Sequence, residues 1–446
     1  MARHLAFQPI LVWSAILLGL LGGFGLGAHM VFVLAFGYTP GPAFSGMVQV
    51  HGHLQLLGWT GLFIIGISTY KLPRLMSTAP LNRWISNGIC AAVVGGLLLK
   101  SVSQLLLFYS SHEVILRFGV FIGSLLESFG ILLYFFCLIR SALDFSPKQG
   151  SVSAAAIQPF LLVGLFGWAV YAAVNASLGW LFLSGKDFLL DPHWSTLSIN
   201  VYIRFVLLPF CFAFSLSTLP IFLRLRTADW PVKYAAVLYG LGVLLNLAAD
   251  GTSVPWLNAL GVCVRVVAIL WTVLEIDLLR LREPWFKKFR NTQDRKNRPP
   301  RRYAGDYGQF GNFEWLIYAA YGWLVVASLS EISNLWFGAP ALTIVRHFYL
   351  LGFVTHLILG MAVRIVPGFL GRNSIASPML VRLSFLLITV SILGRTMPLA
   401  FSALELTGFL AAYGYSGIFG MLALLCLGSN LFITLAQEKT AQKVGV

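Results

Sequence analysis

Histidine is the residue type in this chain with the most chemical potential, because neutral imidazole is the commonest metal ligand in proteins. Two of the eight histidines open a shared pattern. One segment reads HLQLLGWTGLFIIGISTYKLP from His53, and the other reads HFYLLGFVTHLILGMAVRIVP from His347. Beyond the histidine itself, the matched pairs are Leu56 and Leu350, Leu57 and Leu351, Gly58 and Gly352, Gly66 and Gly360, and Pro73 and Pro367.

This pattern fits a planar cofactor. Two histidines at similar depth in two membrane helices could supply both axial nitrogens of a six-coordinate haem. Gly58 and Gly352 would let a flat group, or a neighbouring helix, approach the backbone closely. The chain has no CxxCH motif, so we predict non-covalent haem held by His53 and His347. The alternative is that the match reflects helix packing alone.

Three further histidines are weaker candidates for metal ligands. His51 lies two residues from His53, about 200° around a helix, so the two rings face nearly opposite ways. His356 lies about 13.5 Å deeper than His347 on the same helix. His29 could join His51 in an outer metal site. A lone histidine inside a membrane helix is more often a hydrogen-bonded packing residue.

The elements that must position these residues are membrane helices. The chain is 58% hydrophobic and 11% charged, whereas about 25% charged is usual for a soluble protein. Apolar runs of about 20 residues, each long enough to cross a bilayer, recur throughout. We predict an all-α integral membrane protein with twelve transmembrane helices. Their expected ranges are 8–36, 47–69, 84–109, 113–140, 157–184, 196–223, 232–250, 253–279, 312–337, 341–366, 378–401 and 406–436.

The net charge of +15 reflects orientation in the membrane and not nucleic-acid binding. Most of the 31 Lys and Arg residues fall in every second connection, which predicts that both termini are cytoplasmic. We expect residues 1–446 to form a single polytopic membrane domain whose main partner is the lipid bilayer. The longest basic cytoplasmic loop is expected at about 280–307.

Charged residues inside the predicted helices need partners, because charge in the bilayer is costly. Glu127 falls near the middle of the fourth helix, Lys100 in the third and Arg265 near the middle of the eighth. Two interpretations remain open. Glu127 could belong to a proton path, or it could form an internal ion pair, for example with Arg265.

The chain resembles the NnrS family of bacterial membrane haem–copper proteins linked to nitric oxide metabolism. The family's first motif matches at His51, His53, Gly58 and Pro73, but its acidic residue after the second histidine is Leu54 here. The second motif matches at His347, Gly352, Leu359, Gly360, Met361, Arg364, Gly371 and Arg372. The resemblance implies b-type haem, copper, a bacterial inner membrane and a small diatomic ligand such as nitric oxide. His356 lies outside the motif.

A wider resemblance is to the catalytic subunit of haem–copper oxidases and nitric oxide reductases, which has twelve helices and haem histidines on the second and tenth. Its copper site needs histidines on the sixth and seventh helices, and the predicted ranges here contain none. An oxidase-like or reductase-like subunit is therefore one alternative function. A twelve-helix transporter whose histidines bind a substrate is the other. The sequence leaves open whether the protein is an enzyme, and it leaves the electron donor unknown.

Overall fold

The computed structural model describes the whole chain except residues 1–6, 8, 80, 144–151, 224, 226–229, 280–309, 339–340, 373, 401–406 and 445–446. Within the described residues, twelve helices are long and apolar enough to cross a membrane. The prediction of an all-α, twelve-helix membrane protein is confirmed. The predicted basic loop at about 280–307 lies outside the described residues.

We number these helices α1 to α12 in chain order. Their bounds are Ile10–Ala35, Phe44–Leu75, Arg83–Leu106, Glu113–Leu143, Ala155–Ser184, Pro192–Leu223, Val232–Thr252, Pro255–Ile276, Phe313–Phe337, Leu342–Phe369, Pro378–Leu399 and Leu410–Gln437.

Helix α6 begins four residues earlier than predicted. The Asp191 side chain accepts the backbone N–H of Trp194 at 2.9 Å, and Pro192 occupies the first turn. Both are standard helix-start signals. Helix α6 therefore contains His193, which is exposed in that turn. The prediction that the sixth helix has no histidine was wrong.

The chain forms two compact units. The first comprises Met1–Cys211 and Tyr413–Ile418, and the second comprises Phe212–Ala412 and Phe419–Val446. The first unit thus contains α1 to α5 and the beginning of α6. The second contains the rest of α6, helices α7 to α11 and most of α12.

The two histidine motifs coincide with the same break in helix geometry. In α2, a π-helical segment Leu54–Gly61 begins directly after His53. In α10, a π-helical segment Phe348–Thr355 begins directly after His347. π-Helical turns are rare and are often found at functional sites. The repeated motif therefore corresponds to a repeated backbone conformation, with each histidine at the end of a regular α-helical stretch.

A pair of glycines brings α3 and α4 together in the first unit. A Cβ atom added to Gly96 would lie 2.7 Å from the Gly123 carbonyl oxygen. A Cβ atom added to Gly123 would lie 2.7 Å from the backbone nitrogen of Lys100. Small residues of this kind allow membrane helices to pack backbone to backbone. One turn after each glycine stands a charged residue, Lys100 on α3 and Glu127 on α4.

The second unit repeats this arrangement between α7 and α8. A Cβ atom added to Gly242 would lie 2.7 Å from the backbone nitrogen of Arg265. A Cβ atom added to Gly261 would lie 2.6 Å from the side-chain nitrogen of Asn246. The residues one turn further along are again polar, Asn246 on α7 and Arg265 on α8. In both units, close helix contact is therefore coupled to burial of polar side chains.

We expect Gly96→Ala to lower stability by about 1–3 kcal/mol, because the new methyl group would press on the backbone of α4. The measurement is thermal unfolding of the detergent-purified protein. Gly95→Ala is the matched control, since the Cβ atom at this neighbouring position meets nothing within 4 Å. An equal fall in Tm for both variants would contradict the proposed role of the Gly96 contact.

Candidate functional site

A fully connected polar cluster in the first unit surrounds His53. The His53 Nε2 atom lies 2.9 Å from Oε1 of Glu127. The other carboxylate oxygen, Oε2, accepts a hydrogen bond from Asn175 Nδ2 at 2.9 Å and lies 3.5 Å from Lys100 Nζ. Lys100 Nζ also donates to Asn175 Oδ1 at 2.7 Å. Four helices, α2 to α5, each contribute one of these side chains.

Burial makes these contacts energetically important. The side chains of Glu127 and Lys100 are 0% and 2% exposed, and that of His53 is 14% exposed. A charge removed from water in this way is costly unless it is both paired and hydrogen-bonded. Glu127 does form an internal ion pair, but the partner named as an example, Arg265, was wrong, because Glu127 pairs with Lys100 and Arg265 pairs with Glu331.

Hydrogen bonds fix which ring nitrogen of His53 and of His51 carries the proton. Ionised Glu127 can only accept, so His53 donates from Nε2 and its lone pair lies on Nδ1. His51 Nδ1 lies 2.7 Å from the Gly23 carbonyl oxygen, so His51 donates from Nδ1. A Cβ atom added to Gly27 would lie only 2.7 Å from the Cε1 atom of the His51 ring. The glycines of α1 therefore make room for this ring.

His347 in the second unit is oriented in a comparable way. Its Nδ1 donates to the Thr343 carbonyl oxygen at 2.7 Å. Its Nε2 therefore carries the lone pair, which accepts a hydrogen bond from Arg395 Nε at 3.2 Å. Gly352, in the π-helical segment that follows, packs against Trp323, which stacks on Phe348 at 5.5 Å between ring centroids. The glycine thus accommodates a neighbouring helix.

A second buried ion pair lies close to this segment in the sequence. Arg265 Nη2 donates to Oε1 of Glu331, and the Tyr349 hydroxyl donates to Oε2 of the same carboxylate at 2.8 Å. Arg265 Nε also donates to Asn246 Oδ1 at 3.3 Å. Tyr349 follows His347 by two residues. The pair therefore ties α7, α8 and α9 to the π-helical segment of α10.

The remaining predicted histidines differ in environment. His356 is fully buried, with Nδ1 3.1 Å from the Leu351 carbonyl oxygen and Nε2 3.4 Å from the Thr389 hydroxyl. Both ring nitrogens are thus occupied within the protein, as in a packing histidine. His29 is exposed on α1. Within the described residues, no group of three or more His, Cys, Asp or Glu side chains is placed to hold a metal ion.

Gly58 and Arg364, which were predicted to belong to the site, lie apart from the two histidines. A Cβ atom on Gly58 would make only ordinary contacts, the nearest at 3.4 Å from Leu54. The Arg364 guanidinium lies over the rings of Phe310 and Phe222, 4.2 and 5.2 Å from their centroids. It stands about 25 Å along α10 from His347. Neither position is brought into the hydrogen-bonded surroundings of His53 or His347.

Asn175, Glu331 and Tyr349 were missed by sequence reasoning. Glu331 could have been identified from the sequence, because a single acidic residue within an apolar run is costly to bury and therefore predicts a buried partner. Asn175 also interrupts an apolar run. Tyr349 carried no separate signal, because tyrosine is common in membrane helices.

The hydrogen bonds of His53 and His347 decide whether the two rings could bind haem iron. Such iron is reached through Nε2, because Cβ crowds the Nδ1 side of the ring, so Glu127 would have to release Nε2 of His53 before that ring could bind iron. Metal-bound histidine almost always donates its second ring N–H to a carboxylate or a backbone carbonyl group. His53 donates in this way to Glu127 from Nε2, and His347 donates to the Thr343 carbonyl oxygen from Nδ1 while its Nε2 atom accepts from Arg395. For His347, Arg395 would have to change its hydrogen-bond partner before the lone pair could bind iron.

Comparison with known proteins identifies the fold. No protein-family model matches the chain, and no curated protein matches it. Among solved structures, a heme-copper terminal oxidase dimer determined by electron cryo-microscopy matches with a TM-score of 0.65. The sequence identity is 15%, and the match covers 95% of this chain and 83% of that chain. The chain therefore shares a heme-copper oxidase-like membrane fold.

We expect Glu127→Leu to cost about 3–5 kcal/mol, because it leaves the Lys100 ammonium group buried without its carboxylate. Adding Lys100→Met to Glu127→Leu should recover part of this loss, since an apolar pair tolerates burial better than a single charge. Chemical unfolding of the two single variants and the double variant gives the coupling energy. Strict additivity of the two single effects would show that the pair is not energetically linked.

Proposed function

We propose that this protein is a haem-binding membrane redox protein in which His53 and His347 ligate b-type haem. The observation that carries the proposal is the repeated histidine motif. Each of these two rings is oriented by a hydrogen bond directly before a matching π-helical segment. The heme-copper oxidase-like fold supports the same conclusion.

The cellular role that we propose is linked to nitric oxide, in a bacterial inner membrane. It is based on the resemblance of the His51–Pro73 and His347–Arg372 motifs to the NnrS family. Haem, when bound, supplies one-electron chemistry and an iron atom that takes small diatomic ligands.

The protein's own residues would orient the ligands and balance charge. Glu127 and the Thr343 carbonyl oxygen hold the two imidazole rings by hydrogen bonds. Arg395 would exchange its bond to His347 for another acceptor, and a guanidinium group is well suited to pair with a carboxylate such as a haem propionate.

Copper is not part of this proposal. The described residues hold no group of three or more metal-ligating side chains, and α7 contains no histidine. His193, although it belongs to α6, is exposed in the first turn of that helix.

The protein purified after haem-replete expression should show a Soret absorption band. His53→Ala and His347→Ala should each remove or shift this band, because each deletes an iron ligand. A variant that loses or shifts the band would identify the substituted histidine as an iron ligand. His112→Ala, at an exposed position, is the control and should leave the spectrum unchanged.

A colourless, correctly folded protein would overturn the proposal. Loss of solute uptake in the same histidine variants, with no chromophore present, would instead favour the transporter alternative.

Nitric oxide added to the reduced haem protein should shift the Soret band, because iron would exchange an axial ligand for the gas. Absorption spectra recorded under anaerobic titration give the stoichiometry. An unchanged spectrum at saturating nitric oxide would argue against the nitric-oxide-related role while leaving haem binding intact.

A further inference from the structure

One face of α1 is left uncovered by the rest of the described chain, and it carries a polar side chain. Leu17 and Leu21 are 55% and 69% exposed, and His29 on the same helix is exposed as well. A Cβ atom added to Gly25 would meet only the Leu20 carbonyl group of α1 itself, so this position is also open. Within the described residues, the His29 ring has no hydrogen-bond partner.

A π-helical segment brings these residues into line. The segment Gly19–Gly25 lies between Leu17 and His29. In a regular α-helix, the intervening turns would place His29 about 120° around the axis from Leu17. A π-helical residue turns by about 82° instead of about 100°, so the segment removes about 126° of rotation. Leu17, Leu21, Gly25 and His29 therefore form one stripe along α1, which we call the α1 stripe.

The neighbouring helices pack on other sides of α1. Gly417 of α12 lies against the backbone of Ala28, and the His51 ring of α2 lies against Gly27. His29 follows Gly27 by two residues, which turns it about 200° around the helix axis. The His29 side chain therefore points away from the His51 ring and toward the membrane.

The depth of His29 makes an uncovered ring costly. It lies about 9 Å before Ala35, the last residue of α1. Exposed Tyr38 follows beyond the end of the helix, and tyrosine is enriched at the boundary between lipid and water. Lipid chains offer no hydrogen-bond partner to a polar ring below this boundary, whereas polar side chains of adjoining membrane helices bond to one another.

We propose that the α1 stripe is the contact between two copies of this chain, with the two His29 rings hydrogen-bonded across a twofold axis along the membrane normal. Such an axis brings residues of equal depth together. A neutral imidazole has one N–H donor and one acceptor nitrogen, so it is complementary to a second copy of itself. Gly25, one turn earlier, lets the two α1 helices approach closely.

Förster transfer between full-length copies labelled at the C-terminus, measured in lipid vesicles over a range of protein-to-lipid ratios, tests this proposal. His29→Phe keeps a ring but removes both hydrogen-bonding groups, so the dimer dissociation constant should rise about threefold to thirtyfold. His29→Asn should stay close to wild type, because its amide again offers a donor and an acceptor. His112→Phe, at an exposed position outside the helices, is the matched control and should have no effect.

Oxidative cross-linking in membranes locates the contact independently. Leu21→Cys should give a disulfide-linked dimer with copper phenanthroline, because the twofold axis places the two introduced thiols side by side. Leu98→Cys is the control, since this position on α3 is 47% exposed and lies outside the α1 stripe. The unsubstituted protein, which keeps its five native cysteines, gives the background.

A protein that stays monomeric in vesicles at every protein-to-lipid ratio would overturn the proposal. Dimers of equal affinity in wild type and His29→Phe would overturn it too, as would equal weakening by His29→Phe and His29→Asn. Cross-linking through Leu98→Cys and not through Leu21→Cys would place the contact on another helix. Equal unfolding temperatures of the variants show that a change in association does not arise from loss of structure. The proposal does not rest on haem binding, so none of these results decides the proposed function.

Discussion

The Glu127 carboxylate imposes the strictest constraint on the first unit, because a buried charge must be satisfied by donors that only other helices can bring. Its partners come from α2, α3 and α5, so the side chain holds four helices in register. The ion pair also needs α3 and α4 to pack without intervening side chains, which explains glycine at 96 and 123. Helix packing, ion pairing and the orientation of the His53 ring are thus consequences of one buried group.

The second unit meets the same constraint with different residues. Gly242 and Gly261 bring α7 and α8 together, and the buried charge here is the Arg265 guanidinium. Glu331 neutralises it and also accepts the hydroxyl hydrogen bond of Tyr349, in the π-helical segment after His347. In each unit, then, a histidine directly precedes a π-helical segment near a buried ion pair. The ion pair contacts His53 itself in the first unit, and in the second unit it contacts Tyr349, two residues after His347.

The helices were predictable because a bilayer requires long apolar runs, and such runs are visible in any sequence. The repeated His-Leu-Leu-Gly pattern was visible too, although its backbone geometry was not. Partners across helices could not be predicted. Glu127 and Arg265 have opposite charges at similar predicted depth, and only tertiary packing assigns one to Lys100 and the other to Glu331. The ring of His356 is likewise oriented by the Leu351 carbonyl oxygen, which lies inside the π-helical segment Phe348–Thr355.

The residue that follows His53 can be understood from the same packing. Leu54 lies buried, and its Cδ1 atom lies 2.2 Å from the position that a Cβ atom on Gly22 would take. Glu127 reaches His53 from α4 instead, and there it has Lys100 and Asn175 to stabilise its charge. The carboxylate that contacts the His53 imidazole is therefore supplied by another helix and not by the residue next to the histidine.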